Sequence, residues 1–109
     1  MNPGGSRQLG SASLSLTQLG LGCAPLGELF VKVSGAEASS TMQSAWDAGI
    51  RYFDTAPFYG LGLSESRVGD FLRGQPRDQF VLSSKVGRVL RPQRRGSPLR
   101  PSVWTGGLP

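Results

Sequence analysis

Three residues offer chemistry that a small chain could use: a carboxylic acid, Asp54, a phenol, Tyr59, and an amine, Lys85. A phenol with an ordinary pKa of ~10 is a poor proton donor at neutral pH. An ammonium beside it stabilises the phenolate, and a carboxylate beside the ammonium keeps it charged and aimed. A phenol in that setting can give a proton to a carbonyl oxygen or take one from an alcohol. The same side chains have a plainer use. Asp54 and Lys85 could form an ion pair between neighbouring strands, with Tyr59 anchoring a loop. Spacing alone leaves both uses open.

Composition narrows the field. The chain has no histidine, which excludes Ser-His-Asp triads, Cys-His dyads and His-based zinc sites. A single cysteine, Cys23, excludes intrachain disulfides and Cys-rich zinc modules. No metal site is expected, and the lone thiol fits a reducing, cytoplasmic compartment. No run approaches the ~18 apolar residues of a membrane span. The first twenty residues lack the basic and apolar regions of a secretion signal. The net charge is +5, and all of the excess lies after Lys85, in Arg88, Arg91, Arg94, Arg95 and Arg100. Residues 88–109 therefore read as a long basic Pro/Gly-rich loop or tail. One such tract with a lone aromatic is a weak nucleic-acid signal, and a solvated loop is the expectation.

The elements that must position the three residues follow from periodicity. Residues 7–16 can form a short hairpin around Gly10 and Ser11. Residues 19–23 form a short apolar strand candidate. Ser34 and Glu37 make a capping box. Ala38, Met42, Ala45 and Trp46 follow on one helical face, and Gly49 stands at the C-terminal cap position. Residues 50–55 are a strand rich in aromatic and branched side chains. A second helix is predicted over residues 64–73, with Ser64 as its cap and Val68, Phe71 and Leu72 as its inner face. Residues 80–85 form a third strand. Asp54 and Lys85 thus close two strands, and Tyr59 follows the first of them. Strand starts recur at roughly thirty residues, the length of a βα unit, so a parallel sheet is expected. In such folds, strand C-termini and the loops after them form the active face. Two helices do not cover both faces of three strands, so the α/β domain reads as incomplete.

The stretch Gly49-Ile50-Arg51-Tyr52-Phe53-Asp54-Thr55-Ala56-Pro57-Phe58-Tyr59-Gly60 resembles the signature of the aldo/keto reductase family. Leu63-Ser64-Glu65-Ser66-Arg67-Val68-Gly69 and Ser84-Lys85-Val86-Gly87-Arg88 extend the likeness. The latter stretch and the closing Gly106-Gly107-Leu108-Pro109 are similar to the family's sugar-oxidising branch. The resemblance implies an α/β fold that is the N-terminal portion, about three βα units, of a (β/α)8 TIM barrel. It implies an NAD- or NADP-dependent oxidoreductase passing hydride between nicotinamide and a small carbonyl or sugar substrate. Asp54, Tyr59 and Lys85 match the family's catalytic aspartate, its general acid/base and the lysine that activates it. Gly22 and Cys23, with Asp54, match positions near the nicotinamide. Gly20 and Gly22 do not make a dinucleotide fingerprint, because the third glycine and its helix are not in place. The family's catalytic histidine follows the next strand and has no counterpart here.

A whole barrel needs about 250 residues, against 109 in this chain. Residues 1–109 are therefore expected to be a partial oxidoreductase domain, a fragment inactive alone. The alternative is a non-catalytic interaction protein that self-associates through an open strand edge or binds through the basic tail.

Overall fold

The computed structural model describes residues 2–91. Arg94, Arg95, Arg100 and the closing Gly106–Pro109 stretch lie outside the described residues. Near the start, β1 (Ser6–Gln8) and β2 (Ser15–Thr17) pair antiparallel, with Arg7 opposite Leu16. This is the predicted hairpin, and Gly10 takes the positive φ of 56° that its turn requires.

A three-stranded parallel sheet follows, in the order β3 (Leu21–Gly22), β4 (Tyr52–Asp54) and β5 (Val81–Ser83). Helix α1 (Gly35–Asp47) joins β3 to β4, and α2 (Leu63–Leu72) joins β4 to β5. Ser34 caps α1, its Oγ accepting from the Glu37 N–H at 3.1 Å. At the other end Gly49, at φ 96°, makes a Schellman closure. Its N–H donates to Trp46 O and that of Ile50 to Ala45 O.

The helices pack on one face of the sheet. Phe53, fully buried, joins Ala38 and Met42 of α1, Val68 and Leu72 of α2, and Cys23, Leu26 and Phe80. Trp46 lies beside this core, its ring 6.4 Å from Phe53, 6.2 Å from Phe71 and 6.5 Å from Phe80. Side chains alternate along a strand, so Tyr52 and Asp54 point to the opposite face. Leu82, the register partner of Phe53, is 41% exposed. The helix layer over β5 is open, as the count of helices predicts.

The start of α2 differs from expectation. Its N-cap is Gly62, in a left-handed conformation at φ 95°. Ser64 therefore falls inside the first turn and is fully buried rather than capping. Its hydroxyl donates to Cys23 O at 2.7 Å and meets the Thr55 hydroxyl at 2.7 Å. With its own proton committed to the carbonyl, Ser64 Oγ accepts from Thr55. One side chain thus ties the ends of β3 and β4 to α2. Ser64→Ala would leave the buried Thr55 hydroxyl without its partner and take from Cys23 O one of its two donors, the other being the Leu26 N–H, and stability should fall by about 1–3 kcal/mol in urea unfolding. A variant as stable as the parent would contradict this network.

Candidate active site

Asp54 closes β4, Ser83 closes β5 directly opposite it, and Lys85 lies two residues further on. The Lys85 ammonium donates to Asp54 Oδ2 at 2.9 Å and to Thr55 O at 3.1 Å. It sits 5.2 Å from the centroid of the Tyr59 ring. The acid, the amine and the phenol singled out from the sequence are thus brought together at the carboxyl ends of adjacent parallel strands. Tyr59 and Lys85 line one cleft of about 340 Å³, with Ala56, Pro57, Phe58 and Arg88 among the other walls.

The electrostatics match this geometry. The Asp54 carboxyl is held below its usual 3.8 chiefly by the Ser83 hydroxyl bonded to Oδ1 at 2.6 Å; burial opposes this, and the hydrogen bond and charge of Lys85 add to the lowering. Lys85 is raised above its usual 10.5, chiefly by its hydrogen bond to Asp54 and that group's charge, with smaller contributions from Tyr59. The two side chains are 36% and 49% exposed. A pair this open is worth only ~0–1 kcal/mol. Its consequence is where the ammonium sits, more than how stable the fold is.

Gly22 closes β3 and Cys23 follows it. Gly22 lies exposed, in register with Asp54, and a Cβ built on it would meet nothing within 4 Å. Its backbone therefore borders open space at the mouth of the sheet. The Cys23 thiol points the other way. It is fully buried in the core, and burial, helped by the Asp54 charge, pushes it up to about 12. Cys23 reaches the mouth only through its backbone, whose N–H donates to Asp54 O at 2.9 Å.

Several positioning residues carried no signal as such in the sequence. Gly27 ends a 3-10 turn, Pro25–Gly27, that lies against the Tyr59 loop. A Cβ on Gly27 would collide with the Tyr59 carbonyl, and one on Gly60 with the Gly27 carbonyl. The two backbones touch because neither residue has a side chain. Arg67 of α2 locks the same turn, donating to Leu26 O at 2.9 Å. Ser64 N–H donates to Tyr59 O at 3.0 Å from the other side. Gly60, Ser64 and Arg67 stood within the sequence motifs, though not for these contacts, and Gly27 stood in none.

Residues 18–103 match the model of the aldo/keto reductase family. The chain belongs to this family. It is 56% identical over 91 residues to D-threo-aldose 1-dehydrogenase of a Pseudomonas species, a match covering 82% of this chain and 28% of the relative. Among solved structures, the holo form of an aldo-keto reductase from Bacillus halodurans superposes with a TM-score of 0.70 at 35% identity, over 84% of this chain and 28% of that one. An aldo-keto reductase from Klebsiella pneumoniae, solved in complex with NADPH, superposes with a TM-score of 0.56 at 33% identity, over 66% of this chain and 24% of that one. The chain thus spans about a quarter of the length of each of these three relatives. Its open parallel sheet corresponds to part of their TIM barrel. No helix among the described residues is long and apolar enough to cross a membrane.

The Asp54–Lys85 pair sets a pH window. A lowered Asp54 contributes stability above its unfolded value of 3.8, lost as pH falls through the folded value. A raised Lys85 contributes below 10.5, lost as pH rises through its folded value. The stability difference between parent and Asp54→Asn should therefore be flat between those limits and shrink outside them. Urea unfolding across the pH range measures it, and a difference that widens at either extreme would contradict the pairing.

Proposed function

We propose that Asp54, Tyr59 and Lys85 are catalytic residues of an NAD(P)-dependent oxidoreductase acting on a small carbonyl or sugar alcohol. The observation that carries this reading is the Lys85 ammonium, anchored by Asp54 Oδ2 and facing the Tyr59 ring in an open cleft. A strand-linking ion pair alone would not need the phenol or the cleft. The activity of the D-threo-aldose 1-dehydrogenase relative and the NADPH complex of the Klebsiella protein support the same reading.

The residues present suit a nicotinamide at the mouth of the sheet. The cleft beside Tyr59 has the volume for a planar ring, and the bare backbone at Gly22 lets a ring approach β3 closely. When bound, the nicotinamide supplies or accepts the hydride. Tyr59 handles the proton, giving it to the carbonyl oxygen in reduction and taking it from the alcohol in oxidation. Lys85 stabilises the charge that develops on the phenol oxygen, and Asp54 keeps Lys85 charged and in place. A cytoplasmic setting would keep the free Cys23 thiol reduced.

The competing reading, an interaction protein working through a sheet edge, is favoured by the exposure of Leu82 on the outer strand β5. It gives no role to the arrangement of Asp54, Lys85 and Tyr59, and the catalytic reading is preferred for that reason. The chain on its own is proposed to be inactive. Joined to the remaining length of its D-threo-aldose 1-dehydrogenase relative, it should support NAD(P)-dependent oxidation of a D-threo-aldose. Tyr59→Phe in that chimera should lower kcat by about 10²–10⁴-fold. An unchanged kcat would refute the role given to Tyr59.

A further inference from the structure

We propose that Ser83 is a positioning residue: it occupies one oxygen of Asp54 so that the other holds Lys85 beside Tyr59, and Tyr52 fixes Ser83 in turn. Ser83 Oγ lies 2.6 Å from Asp54 Oδ1 and 2.9 Å from the Tyr52 hydroxyl. An ionised carboxylate only accepts, so the single Ser83 proton goes to Asp54. Ser83 then has only lone pairs left for Tyr52, and the phenol of Tyr52 donates to it. The order of donation, Tyr52 to Ser83 to Asp54, is therefore set by the carboxylate's charge.

This chain of bonds follows from register. Tyr52 and Asp54 are two apart on β4 and share a face, and Ser83 is the residue of β5 opposite Asp54. Each carboxylate oxygen has one distinct partner, Ser83 on Oδ1 and Lys85 on Oδ2. Without the Ser83 bond the carboxylate could rotate, and the ammonium could follow either oxygen. The neighbouring Ser84 has a different task, donating to Glu65 Oε2 on α2 at 2.9 Å. Two adjacent serines, one facing the carboxylate and one turned to the helix, provide a matched comparison. The consequence for proton transfer at Tyr59 rests on the function proposed above; the geometry of Ser83 does not.

Carbon-13 titration of the Asp54 carboxyl and nitrogen-15 titration of the Lys85 ammonium, in the full chain, test the proposal. The other titratable groups around Asp54 are Tyr52, Tyr59 and Cys23. In the parent, Asp54 should titrate below 3.8 and Lys85 above 10.5. Ser83→Ala should move both midpoints back toward those values, Ser83→Thr should hold them at the parent positions, and Ser84→Ala should leave them unmoved. A parent Asp54 midpoint at or above 3.8 would overturn the proposal even if Ser83→Ala failed to fold. So would a Ser83→Ala chain that titrates like the parent, or a Ser84→Ala chain that shifts as far as Ser83→Ala. An inactive chimera would leave these midpoints where they are, so the failure of the functional reading and the failure of this one are read separately.

Discussion

The parallel register of β4 and β5 is the constraint on which the mouth of the sheet depends. It sets Asp54 opposite Ser83 and brings Lys85 within 2.9 Å of the carboxylate. A slip of one residue would turn Asp54 to the helix face and Phe53 to the open one. Burial prevents the slip. Phe53 is fully enclosed between the sheet and both helices, and enclosing such a side chain is worth ~1.5–3 kcal/mol. The exposed ion pair contributes ~0–1 kcal/mol by comparison. The larger, undirected term sets the backbone, and the smaller, directed one then places an ammonium.

Tyr59 reaches the same mouth by another route. Its loop leaves β4 and is pressed against the turn after β3, where Gly27 and Gly60 meet backbone to backbone. Ser64 joins the ends of β3 and β4 beneath it, and Arg67 ties the turn to α2. The phenol thus depends on α2 and on two glycines, while the acid and the amine depend on the strands. The cleft forms where these two supports meet.

Much of this was legible in the sequence because it rests on local signals. The Ser34 cap, the Gly49 stop, the apolar face through Met42 and the aromatic strand around Phe53 each follow from rules spanning a few residues. Asp54, Tyr59 and Lys85 could be brought together on paper once the strands were parallel. What escaped prediction depends on contacts between distant segments. Ser64 reads as a cap by its type, yet Gly62 can take the left-handed entry and frees Ser64 to face Cys23, 41 positions earlier. Ser83 looks like any strand serine until register puts it against Asp54. Nothing local marks Gly27 as the residue that must lack a side chain for the Tyr59 loop to close.

Asp54 holds the Lys85 ammonium against Tyr59. Nuclear Overhauser contacts between the Lys85 side-chain methylenes and the Tyr59 ring measure this directly in the parent chain and in Asp54→Asn. Clear contacts are expected in the parent, weakening or vanishing in the variant while those among Trp46, Phe53 and Phe71 persist. Contacts absent from the parent, or equally strong without the carboxylate, would contradict it.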